Sequence, residues 1–255
     1  MSLLEVKDLS VSYGDLRILR DVSFSVEPGQ WLMIIGPNGA GKTTILNSVS
    51  RGTAYTGTIR YQGRDIRRLK PRELALNIGL LSQNNNVGYA FTVEEIVRLG
   101  RYAHSSSVLS GDRDRREEAI DRAIALTGLD GLRDHSALTL SGGELQRTFL
   151  AQLFAQDPRL LMLDEPTNHL DLVYQKQVFE LIREWLREEG RAVVSVVHDL
   201  SLARAYGTHA LLLSKGRVVA EGPVREVTVP RLLNEVYSMD VYSWMRDMYS
   251  QWTDE

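Results

Sequence analysis

Apolar residues fall along this chain in two kinds of pattern. Residues 2–62 read as strands broken by turns: Leu3–Leu9, Ile18–Val26, Trp31–Ile35 and Gly57–Tyr61, punctuated by Gly14, Pro28-Gly29 and Gly63. Three later runs, Leu160–Leu163, Ala192–Val197 and Ala210–Leu213, are apolar without alternation. Strands of that kind are buried on both faces, which predicts a mostly parallel sheet covered by helices. The interval from Val197 to Ala210 is short, whereas Tyr174–Glu188 is a helix whose apolar positions Tyr174, Val178, Leu181, Ile182 and Trp185 share one face before Gly190 stops it. From about 85 to 157 the pattern turns helical, in Thr92–Arg101, Asp112–Thr127 and Gly142–Gln156, with no strand. This predicts a helical insertion in an α/β core. The tail, Leu232 to Trp252, carries Tyr237, Tyr242, Trp244, Tyr249 and Trp252 among polar residues and reads as packing against the core or a neighbour.

Composition narrows the class of protein. With 255 residues, 43% hydrophobic and 25% charged, the chain has an ordinary globular balance. Its net charge of −3 gives no global basic field for nucleic acid, and none is expected as a partner. The cluster Arg64–Arg72 reads as a solvated helix face. There are no cysteines, which removes disulfides and thiolate zinc sites and is compatible with a reducing cytoplasm. The N-terminus lacks the pattern of a signal peptide, and the longest apolar runs, about five residues, fall far short of a bilayer span. A soluble protein is expected, reaching a membrane only through a partner.

The candidate chemistry starts at Gly36-Pro37-Asn38-Gly39-Ala40-Gly41-Lys42-Thr43-Thr44, which fits G-x-x-x-x-G-K-[ST] between the apolar run Trp31–Ile35 and a helix predicted from Lys42 to Ser50. Glycines let successive backbone N–H groups turn toward one point, and the helix N-terminus adds partial positive charge, so the loop is an anion nest. Lys42 would reach the β- and γ-phosphates of a nucleotide and the Thr43 hydroxyl would ligate Mg²⁺. Leu160–Leu163 ends in the adjacent acids Asp164 and Glu165, at the sheet edge where ligands bind. Asp164 would hold Mg²⁺ and Glu165 would polarise the attacking water. Ser141-Gly142-Gly143-Glu144 fits a helix capping box, with Leu145, Phe149, Leu153 and Phe154 on the buried face. Its two glycines would leave first-turn N–H groups open to an anion.

Leu140-Ser141-Gly142-Gly143-Glu144-Leu145-Gln146-Arg147, between the phosphate loop and Asp164-Glu165, resembles the signature motif of ABC ATPases. The resemblance covers nearly the whole chain. It implies an α/β P-loop NTPase (RecA-like) core with an N-terminal antiparallel β subdomain and an inserted α-helical subdomain. On that division about 1–84 and 158–255 form the catalytic core, and about 85–157 the helical subdomain. It also implies roles for single residues. Gln83 looks like the glutamine that senses Mg²⁺ and water, and Tyr13 like the aromatic that stacks on adenine. His198 is similar to the switch histidine at the γ-phosphate. Asp171 is the acid of Asn168-His169-Leu170-Asp171, a loop that crosses a dimer interface in the family. His104, His135 and His209 read as structural. Because the signature of one subunit closes over ATP held by another, the resemblance implies a head-to-tail homodimer with two ATP and Mg²⁺. Phe91-Thr92-Val93-Glu94-Glu95-Ile96-Val97-Arg98-Leu99-Gly100-Arg101-Tyr102-Ala103-His104 and His198–Arg204 resemble segments of ATPases that energise iron-siderophore, haem and cobalamin importers. The partners so implied are an integral-membrane permease dimer and, indirectly, a periplasmic or extracellular substrate-binding protein, with the chain at the cytoplasmic face of the membrane. Thr167–Asp171 is also common in soluble ABC ATPases of translation or complex assembly, which leaves a function without a permease as the alternative.

Overall fold

A computed structural model describes residues 2–83, 88–104, 111–168 and 170–252. Among them the strands are β1 (Leu4–Tyr13), β2 (Leu16–Val26), β3 (Trp31–Ile35), β4 (Thr56–Tyr61), β5 (Arg64–Asp65), β6 (Ile78–Leu81), β7 (Leu160–Asp164), β8 (Ala192–Val196), β9 (His209–Ser214) and β10 (Arg217–Pro223). The helices are α1 (Lys42–Val49), α2 (Pro71–Asn77), α3 (Val93–Leu99), α4 (Gly111–Leu126), α5 (Gly142–Gln156), α6 (Leu172–Leu186), α7 (Leu200–Tyr206), α8 (Val224–Val227), α9 (Pro230–Tyr237) and α10 (Val241–Ser250).

Two sheets result. An antiparallel one runs in the order β2-β1-β4-β5. Along β1 the buried positions are Leu4, Val6, Leu9 and Val11, so the alternation slips by one residue in the middle. Asp8 absorbs the slip at φ 53°, with its N–H donating to Ser23 Oγ at 2.9 Å. A bulge there keeps both halves of the strand facing the core. The second sheet runs β10-β9-β3-β8-β7-β6, parallel from β9 to β6, with β10 antiparallel on the edge. Every residue of β3, β7 and β8 is buried, as their unbroken apolar runs require.

The pleat of β3 divides the core. Trp31, Met33 and Ile35 join a cluster with Phe179, Leu150 and Val97, while Leu32 and Ile34 join one with Ile45, Leu46 and the antiparallel sheet. Trp31 stacks on Phe179 with centroids 5.4 Å apart and donates from Nε1 to Ser195 Oγ at 2.8 Å. Truncating such a residue to Ala costs about 3–5 kcal/mol.

Between β6 and β7 the described residues contain helices, short 3₁₀ turns and one isolated bridge, Thr92 to Ser136. Helix α5 differs from its expected face. Leu145 and Phe149 are only half-buried, and Thr148, Leu150, Ala151 and Ala155 are buried beside Leu153 and Phe154. The reason is that α3 and α4 pack on α5 as β6 does, so more than one stripe is covered. In α6 the buried face adds Phe179, while Tyr174 and Leu181 are half-buried.

Several elements lie outside the sequence reading. β6 is four residues long and β10 is an edge strand without a buried residue; neither has the run of a central strand. α7 fits within the short Val197–Ala210 interval. In the tail, Leu233 and Val241 are buried and Tyr237 and Tyr242 half-buried, while Trp244, Tyr249 and Trp252 are exposed. No described helix is long and apolar enough to cross a membrane.

Candidate functional site

Four laterally adjacent strands, β3, β8, β7 and β6, end at the same edge of the parallel sheet, and each is followed by a chemically capable segment. After β3 comes the Gly36–Thr44 loop. Gly36 has φ 143°, and a Cβ there would lie 2.2 Å from the Leu213 carbonyl oxygen, so only glycine fits. Gly41 is the N-cap of α1 at φ 98°, without a side-chain cap. The first-turn N–H groups of α1 therefore have no side chain competing for them, as an anion site requires.

Lys42 is buried, and its Nζ donates to the carbonyls of Gly36 at 2.8 Å and Pro37 at 3.1 Å. Burial holds its pKa below the usual lysine value, against the opposing pull of Glu165 and Asp164. Asp164 ends β7 and is buried as well; burial pushes its carboxyl up, while the hydrogen bond from Thr43 Oγ1, at 3.2 Å, acts the other way.

Glu165 follows at φ 51°, a left-handed conformation that turns its carboxylate along the sheet edge. Three side chains meet it. Gln83 Nε2, after β6, donates to Oε2 at 3.0 Å, and Asn168 Nδ2 donates to the same oxygen at 3.1 Å. His198 Nε2, after β8, lies 2.6 Å from Oε1. Lys42, Thr43, Gln83, Glu165 and His198 line one cavity of about 530 Å³ with Asn38, Gly39, Ala40, Gly41 and Thr44.

Other sequence candidates lie elsewhere. Tyr13 is exposed and does not line the cavity; its hydroxyl pairs with Thr53 Oγ1 at 3.0 Å. Ser141, Gly142, Gly143, Glu144 and Asp171 do not line it either. Ser141 and Glu144 form the expected capping box of α5: Ser141 N–H donates to Glu144 Oε2 at 2.8 Å and Glu144 N–H to Ser141 Oγ at 3.3 Å. The Ser141 N–H holds the Glu144 carboxyl below the usual carboxylate range. Asp171 caps α6 by accepting from the Tyr174 N–H at 3.0 Å. His169 lies outside the described residues.

The two glycines of this cap differ. Gly142 is exposed with open space where a Cβ would stand, but a Cβ on Gly143 would lie 2.5 Å from the Tyr174 ring. Gly143 is therefore also a packing requirement between α5 and α6, apart from any use of its N–H group. Two further residues border the site, Ile18 without a sequence signal and Gln146 from within the stretch Leu140–Arg147. Ile18 lines the cavity from β2, and Gln146 Nε2 donates to the Pro166 carbonyl at 2.7 Å, tying α5 to the turn after Glu165.

A glycine loop at the end of a parallel strand, a buried lysine and a paired acid beside it define a P-loop nucleotide-binding protein. The profile of the ABC transporter family matches residues 19–168, and the chain belongs to that family as one of its ATP-binding, ATP-hydrolysing subunits. It is 39% identical over 93% of its length to the Bacillus subtilis ABC transporter ATP-binding protein YvrA, of which it spans about half, 54%. It is 36% identical to the ferric enterobactin transport ATP-binding protein of Escherichia coli, covering 92% of this chain and 87% of that one. Its fold matches the ADP conformation of an ATP-binding cassette of an ABC transporter, with TM-score 0.80, 24% identity and coverage of 93% and 98%.

Proposed function

We propose that the chain is the ATPase subunit of a membrane importer for a metal chelate of the iron-siderophore, haem or cobalamin type. It would work as a head-to-tail pair at the cytoplasmic face of a permease dimer, with a substrate-binding protein delivering cargo from outside. The observation that carries the ATPase reading is that Lys42, Thr43, Gln83, Glu165 and His198 line one cavity with Asn38–Gly41 and Thr44, while Asp164 accepts from Thr43 beside it. The transport reading is supported by the kinship to the ferric enterobactin subunit. No observation favours a soluble ABC ATPase without a permease.

In this reading the loop N–H groups from Gly39 to Thr44 bind the phosphates, and Lys42 leaves the Gly36 and Pro37 carbonyls for the β- and γ-phosphate oxygens. Tyr13, which is exposed and off the cavity lining, stacks on adenine. The Thr43 hydroxyl and the Asp164 carboxylate are hard oxygen donors 3.2 Å apart, a fit to Mg²⁺, which takes few protein ligands beside substrate phosphates. Gln83 would complete that set, and Mg²⁺ would neutralise charge developing on the phosphates. Glu165 accepts the proton of the attacking water, and His198 holds the γ-phosphate. Ser141, Gly142, Gly143, Glu144 and Asp171 act on nucleotide bound by the other copy, consistent with their lying off the cavity. About 1–84 and 158–255 would move as the catalytic core against a helical subdomain of about 85–157.

Lys42→Ala tests this reading. Steady-state ATPase activity should fall roughly 10²–10³-fold, the scale of losing a fixed positive group at the reacting oxygens. Unchanged turnover in the purified variant would reject it. Co-purification of the wild-type chain with a multi-span membrane protein tests the transport half separately.

A further inference from the structure

Helix α10 outruns the core it packs on. At 3.6 residues per turn, Val241, Met245, Met248 and Trp252 fall on one face, with Trp244 and Tyr249 at its margins. The start of that face is covered. Val241 is buried in the core cluster, and Tyr242 and Met245 pack against it. Tyr242 is held further by donating its hydroxyl to the Thr228 carbonyl at 2.7 Å, and the Val241 N–H donates to Asn234 Oδ1 at 3.0 Å, which joins α10 to α9. Beyond Met245 the same face is open: Met248, Tyr249 and Trp252 are 50%, 69% and 84% exposed, and Trp244 on the margin is 52% exposed. The helical turn carries on to Trp252, whose N–H donates to the Tyr249 carbonyl at 3.0 Å. Trp, Tyr and Met gathered on one exposed face are the side chains that protein interfaces enrich.

We propose that this open end of α10 is the contact surface for the same helix of a second copy, in an antiparallel pair whose two-fold axis passes at Met248. Three observations single out that occupant. Trp244, Met248 and Trp252 are evenly spaced, so the stripe is its own complement: antiparallel pairing about Met248 sets each Trp244 beside a Trp252 of the other copy. A two-fold contact requires that self-complementarity. The four exposed side chains offer roughly 500 Å² per copy and so roughly 1,000 Å² for a pair, the lower limit of a specific interface. The charges of α10 are Arg246 and Asp247, which cancel, so the helix lacks the basic fringe that would hold it on anionic lipid. Such a pair is weak, with a Kd on the order of tens of micromolar. It needs no nucleotide, stands apart from the head-to-tail closure over ATP, and keeps two copies together when no ATP joins them.

Sedimentation of the full chain, stripped of nucleotide, should show a monomer–dimer equilibrium in that concentration range. Met248→Glu sets two like charges on the axis; it should weaken pairing at least about tenfold and leave the thermal midpoint within a degree or two of wild type. Because the chain has no cysteine, single cysteines report the register. Met248→Cys should cross-link to itself on oxidation. Trp244→Cys and Trp252→Cys lie four residues, about 6 Å, to either side of the axis, so they should cross-link with each other when mixed and not with themselves. A monomer at every concentration overturns the proposal, as does a dimer indifferent to Met248→Glu or one in which Trp244→Cys links to itself. A monomer that Met248→Glu releases from phosphatidylglycerol vesicles, or from a co-purifying multi-span membrane protein, gives the face to that occupant and overturns it too. Lys42→Ala should pair as wild type does, and pairing lost in that variant would assign it to nucleotide instead. Failure of the tail contact leaves the ATPase reading untouched, since no step of the test uses turnover.

Discussion

Glu165 is the residue on which the site's hydrogen bonds converge, receiving Gln83, Asn168 and His198 on two carboxylate oxygens. A carboxylate holding three partners is well placed but engaged, and it can take a water proton only when one of its oxygens is shared with that water. Glu165→Gln keeps the shape and removes the basicity. ATP affinity should stay within a few-fold of wild type while turnover falls roughly 10²–10⁴-fold, read by calorimetry and by phosphate release. Activity close to wild type would move the base elsewhere. The identities of Lys42, Thr43, Asp164 and Glu165 are legible in the sequence because motif spacing alone carries them. The partnership of Asn168 with Glu165 is not, since nothing in its neighbourhood marks which carboxylate it bonds.

Helices α5 and α6 meet through a glycine. A methyl group on Gly143 would sit 2.5 Å from the Tyr174 ring, and Arg147 lies over the same ring at 5.7 Å. Gly143→Ala should therefore lower the thermal midpoint by several degrees, since overpacking of this kind costs about 1–3 kcal/mol. Gly142→Ala meets open space and should leave the midpoint unchanged. Scanning calorimetry on the pair decides it, and equal midpoints would mean that the ring moves aside freely. The sequence shows both glycines as one cap, because Tyr174 belongs to a different helix and the contact exists only after folding. The same division holds for the sheet. β3, β7 and β8 are legible as continuous apolar runs, whereas β6 is too short and β10 too polar to read without the neighbour that pairs with each.

At the scale of the whole molecule, the cavity and the α5 cap are separate surfaces of one chain, and in the proposed pair they meet only through a second copy. Ser141→Arg should abolish hydrolysis and leave the ATP affinity of the monomer unchanged, because in the proposed pair Ser141 acts on nucleotide held by the other subunit. A loss of affinity in the monomer would put Ser141 in its own subunit's site. The α/β architecture and the helical block are legible from periodicity. Which tail residues enter the core is not, since Leu233 and Val241 join a cluster whose other members lie far from them along the chain. That tail has an optical consequence. The chain has four tryptophans; Trp31 and Trp185 are 0% and 3% exposed in the core, and Trp244 and Trp252 are 52% and 84% exposed at the end of the chain. A collisional quencher such as acrylamide reaches the second pair and not the first, so the intrinsic emission divides into a core signal and a tail signal. Detachment of the tail, or its burial against a partner, can then be followed in the unlabelled protein while the core signal reports that the fold is intact.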